Sequence, residues 1–223
     1  MKYINILLGV TGGFCWILAY ILIIYKGIKD KTYGMPLIPL VLNFGFEFVY
    51  SFCYPSNLLF NLTWFLLDFG IIYTYFKYGY TSFNKFYSIE KKQWYFISLF
   101  AFFMGFLINF FGHQFFSQNI GNIPDEQINI LLAFIWLMFI SVCMLVMFFQ
   151  RKNTEGQSFI IICLMLLGNC SYIVQVLFVP IFHYWSSPFI VLIISISIVI
   201  EIFYAKLLFK QLIKEGKNPW KRV

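Results

Sequence analysis

Three acidic residues, Glu47, Asp68 and Glu201, lie inside long apolar stretches of the sequence. A charged side chain at the centre of a bilayer costs about 3 kcal/mol on insertion scales, so an acidic residue there is either functional or carries a proton. A carboxyl group shielded from water favours its neutral form. Because a neutral glutamic acid is a ready proton donor, these residues predict acid–base chemistry inside a membrane.

Each acidic residue belongs to a group of polar and aromatic side chains at helical spacing, and a fourth group has the same spacing without an acid. The groups are Asn43, Glu47 and Tyr50; Trp64, Asp68 and Tyr75; Asn169, Tyr172 and Gln175; and Ser197, Glu201 and Tyr204. Lipid would not solvate such faces, so they must turn towards the inside of a helical bundle. Together they predict one polar and aromatic cavity.

A purely structural role remains open for several of these residues, because polar side chains also join membrane helices by hydrogen bonds. Asp68 and Asn169 fit that role best. Glu47 and Glu201 favour a functional role, since a carboxyl group is a more costly helix-to-helix contact than an amide. Tyrosine and tryptophan residues also pack or anchor helices at the membrane interface.

The composition places the chain in the membrane class. Of its 223 residues, 61% are hydrophobic and 11% are charged, whereas about a quarter of a soluble domain is charged. So few charges could not cover a surface that faces water. We therefore predict an integral, multi-pass, all-α membrane protein, and the sequence leaves open which membrane holds it.

Seven apolar stretches are long enough, at roughly 20 residues each, to cross the hydrocarbon core. They are 5–25, 36–53, 57–76, 94–112, 128–149, 158–178 and 188–209. We predict one domain, residues 1–223, folded as a bundle of seven transmembrane helices, in which the short turn between the second and third makes them an antiparallel hairpin. The first is expected to be a retained helix, since no small-residue cleavage site follows it.

The basic residues predict the orientation of the bundle. The four loops and tails on one side of these spans hold 15 of the 16 Lys and Arg residues, and Lys2 stands alone on the other side. By the positive-inside rule, the N-terminus is outside or lumenal and the C-terminus is cytosolic. This placement explains the net charge of +7 without a nucleic-acid partner.

Neither a metal nor a cofactor is expected. The five cysteines show no paired or Cys/His spacing typical of a metal site. His113 and His183 fall at the outer ends of spans, where we expect solvated interface residues. The chain also lacks a phosphate-binding loop and the acidic metal-binding motifs of soluble enzymes.

Three local strings carry a family resemblance. KTYGMPLIPLVLNFGFEFVY contains a Y-G-M-P turn and an N-x-x-x-E-F-x-Y helix, WFLLDFGIIYTYFKYG contains W-x-x-x-D and Y-G, and RKNTEGQSF contains T-x-G-x-S-F. They resemble the small seven-helix integral-membrane terpene cyclases of the pyripyropene and paxilline pathways. The matching positions are Tyr33, Gly34, Met35, Pro36, Asn43, Glu47, Phe48, Tyr50, Trp64, Asp68, Tyr78, Gly79, Thr154, Gly156, Ser158, Phe159 and Gly168, while Phe46 replaces a tryptophan.

The resemblance implies a catalytic pair, a Glu on the second helix and an Asp on the last. They correspond to Glu47 and to Glu201, which is longer by one methylene group. Glu47 would protonate an epoxide or an alkene of a prenyl chain, and Glu201, with Tyr204 or Asp68, would orient that acid or take the final proton. The product would be an isomer, formed without metal from a hydrophobic prenylated molecule. Candidate substrate-binding residues are Asn43, Tyr50, Trp64, Asn169, Tyr172, Gln175, Ser197 and Tyr204.

Two other functions remain open. The same carboxyl groups could form the proton relay of a proton-coupled transporter, although the chain shows no internal repeat of the kind many transporters have. A seven-helix receptor or scaffold is the other. The sequence also leaves open whether Glu47 and Glu201 meet, since helix geometry places them roughly 9 Å and roughly 20 Å from the outer ends of their helices.

Overall fold

The computed structural model describes residues 2–84, 88–119, 124–178 and 188–222, and they form seven helices without a strand. The helices are α1 (Lys2–Lys29), α2 (Leu37–Phe48), α3 (Leu58–Asn84), α4 (Lys91–Asn119), α5 (Asp125–Arg151), α6 (Phe159–Phe178) and α7 (Pro188–Lys214). Six of them are long and apolar enough to cross a membrane. The predicted all-α bundle of seven helices is therefore confirmed, while His183 lies outside the described residues.

Helix α2 is the short element of the bundle. Its 12 α-helical residues continue into one turn of π-helix, Val49–Cys53, with 5 more. The resulting 17 residues are fewer than the roughly 20 that usually span a bilayer. Pro36 stands directly before α2, where its fixed φ of −63° suits a helix start. The α2–α3 connection is a tight turn in which Asn57 takes a positive φ of 46°, and α2 packs against α3, as the predicted hairpin requires.

The helices form a ring whose order differs from the chain order. Going round, α1 packs on α3, α3 on α2, α2 on α5, α5 on α7, α7 on α6, and α6 on α1. Helix α4 lies against α2 and α5, outside that ring. Its contact with α2 is close: a Cβ on Gly105 would lie 2.2 Å from the carbonyl oxygen of Val41. Glycine is therefore required at this crossing.

The outside of the bundle is apolar, as a surface in contact with lipid requires. Large side chains such as Leu59, Phe96 and Val199 are well exposed there. Lys29 and Lys214 lie at the end where α1, α3, α5 and α7 terminate. We call this end the basic face and the other end the opposite face. Which face meets the cytosol remains a prediction from the charge pattern.

A polar network ties the loops together at the basic face. Asp30, after α1, pairs with Lys26 at 3.3 Å and with Arg222 of the C-terminal segment at 3.2 Å. The backbone N–H of Gly156 donates to the same carboxylate at 2.8 Å. Gly156 has a φ of +70°, a conformation that glycine adopts without strain. Three distant segments of the chain are thus held by one acid.

Glu215 holds a second part of this network, directly after α7. Its carboxylate accepts hydrogen bonds from Thr154, from both the backbone N–H at 3.1 Å and the hydroxyl at 2.6 Å, and from Gln211 at 3.0 Å. It also pairs with Lys217. Burial raises the pKa of Glu215, but the hydrogen bonds from Lys217, Thr154 and Gln211 outweigh burial and lower that pKa to about 2.

Candidate active site and its cavity

A cavity of about 390 Å³ lies inside the ring of helices, and its lining comes from α1, α2, α3, α5, α6 and the turn before α3. Towards the opposite face its lining includes the polar residues Asn5, Glu126 and Gln175. Deeper in the bundle the lining is largely aromatic, with Trp16 and Trp136 among the residues. The cavity therefore has a polar end and an aromatic interior.

Glu47 lies in the lining of this interior, although its side chain is only 1% exposed. Its oxygen Oε1 accepts a hydrogen bond from the amide of Asn43 at 2.6 Å and one from the hydroxyl of Tyr20 at 3.3 Å. Asn43 in turn donates to the Tyr20 hydroxyl at 2.6 Å. Asn43 is one turn before Glu47 on α2, so helical spacing predicted this contact, while Tyr20 comes from α1.

Asp68 of α3 joins the same cluster and is completely buried. Its carboxyl group accepts from the Asn43 amide nitrogen at 3.3 Å, and the same nitrogen donates to Glu47 at 2.6 Å, so one donor bridges the two acids. Two carboxyl groups gathered around one donor in a water-poor interior disfavour the state in which both are charged, because like charges repel. Glu47 is among the residues that line the cavity and Asp68 is not. The pair is thus a proton-holding unit with one member at the cavity wall.

Glu201 lies elsewhere. It is completely buried on α7 and is absent from the cavity lining. Its oxygen Oε1 accepts hydrogen bonds from Ser141 of α5 and from Asn169 of α6, both at 2.8 Å. The structure therefore groups Glu47 with Asp68, and it places Glu201 in a separate polar cluster.

The candidate substrate-binding residues divide into two groups. Those that line the cavity are Asn43, Trp64, Tyr172 and Gln175. Those absent from the lining are Tyr50, Asn169, Ser197 and Tyr204. Ser197 donates to the carbonyl oxygen of Ile193 at 3.1 Å, and the Tyr204 hydroxyl donates to Gln157 beside the basic face. The sequence predicted which helix faces turn inward, but it did not show how far into the bundle the cavity extends.

Tyr50 points away from the cavity because it lies in the π-helical turn. A π-helix has more residues per turn than an α-helix, so the face drawn through Asn43 and Glu47 does not continue to Tyr50. Its hydroxyl meets Nδ1 of His113 at 3.1 Å, and Nε2 of that histidine lies 3.3 Å from Asp125. The expectation that His113 is a solvated interface residue was wrong, since only 2% of it is exposed.

Trp16, Tyr20 and Trp136 are functional candidates that sequence reasoning missed. Trp16 and Tyr20 are spaced by four residues in α1, which places them on one helical face. That signal is hard to see in a chain with 30 Phe and 15 Tyr residues. Trp136 is held by Asn109 of α4, whose side-chain oxygen accepts from the indole N–H at 2.8 Å.

Within the described ranges, no three His, Cys, Asp or Glu side chains are grouped to hold a metal ion. The residues gathered at the cavity are instead a carboxyl pair, an amide, a phenol and several aromatic rings. Such a set can hold and transfer protons and can stabilise positive charge on an apolar molecule.

Comparison with known proteins gives the family of this chain. A family model described as Pyr4-like transmembrane terpene cyclases matches residues 1–212. The chain belongs to this family. It is accordingly an integral, multi-pass membrane protein, as the composition predicted.

Individual relatives of the Pyr4-like family are similar over different lengths. Terpene cyclase atmB of Aspergillus flavus is 30% identical over 187 residues, which cover 79% of this chain and 70% of that protein. Pyr4-family terpene cyclase mfmH of Annulohypoxylon moriforme is 40% identical over 31% of this chain and 30% of its own length. Terpene cyclase pyr4 of Aspergillus fumigatus is 41% identical over 30% of each chain. No solved structure is significantly similar.

Proposed function

We propose that this protein is a membrane-embedded terpene cyclase that closes rings in a prenyl or epoxy-prenyl chain, with Glu47 as the proton donor. The observation that carries the proposal is the pairing of Glu47 and Asp68 around the Asn43 amide at the wall of an aromatic cavity. Membership of the Pyr4-like family supports the reaction class. The relatives named terpene cyclases support it as well.

The reaction begins with one proton and ends by returning it. Glu47 transfers its proton to an epoxide oxygen or to an alkene carbon of the chain, which leaves a carbocation. The π electrons of neighbouring alkenes attack that cation and form the new carbon–carbon bonds. The last cation loses a proton from the adjacent carbon to give an alkene, and the carboxyl pair takes that proton. The product is an isomer of the substrate.

The neighbours of Glu47 suit it to this role. Asn43 and Tyr20 both donate to Oε1, so they fix that oxygen and direct the rest of the carboxyl group. Asp68 lies behind Glu47, away from the cavity, so the proton that the last cation releases returns to Glu47, which can exchange it with Asp68. A group that must donate and then accept benefits from a partner with which it exchanges one proton.

The cavity also favours a particular orientation of the substrate. The acid lies in the aromatic interior, so the reacting end of the prenyl chain would enter first. Aromatic faces there stabilise carbocations by cation–π attraction. Nearer the opposite face, Asn129 and Trp64 line the cavity, and their Nδ2 and Nε1 atoms have no hydrogen-bond partner among the described residues. Both atoms are donors, so they suit a substrate that carries an oxygen acceptor at its other end.

The test is product formation by purified protein in detergent or lipid. Prenylated and epoxidised prenylated molecules would be incubated with wild type, Glu47→Gln and Asp68→Asn, and the products identified by mass spectrometry. General acid catalysis contributes about 10²–10⁴-fold, so Glu47→Gln should lose at least about a hundredfold, with a smaller loss for Asp68→Asn. Cyclisation at the wild-type rate by Glu47→Gln would overturn the assignment of the acid.

A further inference from the structure

The position of Glu201 raises the question of how a buried acid outside the cavity could affect a reaction inside it. Its contacts are Ser141 and Asn169, which both donate to Oε1 at 2.8 Å. Donated hydrogen bonds stabilise negative charge on a carboxylate. Glu201 thus lies in a polar cluster in which two donors are aimed at one of its oxygens, one layer behind the cavity wall.

Asn169 links that cluster to the wall. While its amide nitrogen donates to Glu201, its side-chain oxygen accepts from the indole N–H of Trp16 at 3.3 Å. Trp16 lines the cavity. The path from cavity to acid therefore runs through one indole ring and one amide, each joined to the next by a hydrogen bond.

Gly168 leaves room for the indole ring of Trp16 between α1 and α6. A Cβ at this position would lie 2.7 Å from a ring carbon of Trp16 and 2.8 Å from its indole nitrogen. The ring is thus located by the glycine on one side and by Asn169 at its N–H, and it meets Tyr20 edge-on at a centroid distance of 6.2 Å. A ring located in this way has a fixed orientation in the cavity lining.

We propose that Glu201 does not touch the substrate and acts through Asn169 and Trp16, making the Trp16 indole a site for positive charge in the cavity. This inference rests on the proposed cyclase function. Tryptophan offers the best aromatic face for a cation. An indole N–H that donates to an acceptor shifts electron density towards the ring. Because the acceptor, Asn169, donates in turn to Glu201, the two hydrogen bonds in series polarise one another in a low-dielectric interior. Glu201 and Asn169 are then positioning residues for Trp16.

The test uses binding of a cation mimic, so it does not depend on turnover. Two probes of equal size are compared: a farnesyl-type chain in which a methylated ammonium nitrogen replaces one branching carbon, and its neutral hydrocarbon counterpart. Their dissociation constants are measured with wild type, Glu201→Gln, Asn169→Leu, Trp16→Phe and the double variant Trp16→Phe/Glu201→Gln. Affinity for the neutral probe reports whether the cavity is intact.

Wild type should bind the ammonium probe more tightly than the neutral one, and each single variant should reduce that preference by about tenfold, which is within the range of a desolvated cation–π contact. The double variant should lose no more than Trp16→Phe alone, because both changes interrupt the same path. Ser141→Ala is the matched control: it removes the other hydrogen bond to Glu201, leaves the path to Trp16, and should keep most of the preference.

Two results would overturn the inference. One is a wild-type protein with no preference for the ammonium probe. The other is additive loss in the double variant together with an unchanged preference in Asn169→Leu, which would mean that Glu201 meets the ligand directly. Failure of the cyclase proposal is distinguishable, since in that case the wild type would show the expected binding pattern and form no cyclic product.

Discussion

Trp16 and Tyr20 lie one turn apart on α1, with ring centroids 6.2 Å apart and ring planes at 84°, and each is connected to a different acid. The Tyr20 hydroxyl donates to Glu47, whereas the Trp16 indole reaches Glu201 through Asn169. One helix thus joins the two acid clusters of the bundle. In the proposed reaction, Glu47 and Glu201 therefore need not face each other.

Removing the Tyr20 hydroxyl should lower the rate of catalysis by Glu47 without abolishing it. In Tyr20→Phe, Oε1 of Glu47 loses one of its two donors, and Asn43 loses an acceptor. A hydrogen bond of this kind contributes about 0.5–1.5 kcal/mol net, so kcat should fall about three- to tenfold with little change in KM. Steady-state kinetics on a prenyl substrate measure this. A loss as large as that of Glu47→Gln would instead make Tyr20 the proton donor.

Gly12 should control the shape of the cavity through Tyr172. A Cβ at Gly12 would lie 2.7 Å from a ring carbon of Tyr172, which lines the cavity, so Gly12→Ala must displace that ring. Overpacking of this kind costs about 1–3 kcal/mol. We expect a higher KM and an altered ratio of products, measured by chromatography of the reaction mixture.

Gly112→Ala is the control for this change, because nothing lies within 4 Å of a Cβ at that position. Its products and KM should match those of wild type. If the two alanine variants give the same product ratio, Tyr172 does not shape the substrate.

The crossing of α2 and α4 should depend on glycine at one position. A Cβ at Gly105 would meet the Val41 carbonyl oxygen, part of the backbone of α2, so the two helices would have to separate. In the interior of a helix, alanine is intrinsically better than glycine by about 1 kcal/mol. Gly105→Ala should nevertheless lower the Tm, while Gly112→Ala on the same helix should leave it unchanged or raise it. Thermal unfolding in detergent compares them, and equal Tm values would contradict the close contact.

The stability of the basic face should depend on pH through Glu215. The pKa of this carboxyl is about 2 in the folded protein and about 4.3 when unfolded. A lowered folded-state pKa contributes stability that is fully present above the unfolded value and is lost as the pH falls towards the folded one. Glu215→Gln should therefore lower the Tm at pH 7, and the difference from wild type should shrink between about pH 5 and pH 3. A constant difference over that range would rule out this origin.

The sequence by itself determined the membrane class, the seven helices and the polar faces that turn inward. It also singled out Glu47 and Asp68, each within a recognisable motif. These follow from local physics: a bilayer excludes charged surface, and the 3.6-residue period of a helix fixes which side chains share a face. The contact from Asn43 to Glu47 is of this kind, since the two residues are one turn apart. The resemblance that rested on Glu47 and its neighbours is confirmed by the family match.

Tertiary structure decided which faces meet and at what depth. Asp68 was the acid that best fitted a structural role, yet α3 brings it to the same Asn43 amide that donates to Glu47. Glu201 and Tyr204 share an inward face, but α7 stands one layer outside the cavity. A periodic pattern gives the direction of a face relative to its own helix axis and carries no information about neighbours. The positions of neighbouring helices depend on where the helices cross, as at Gly105 and Val41, and on the order of the helices in the ring.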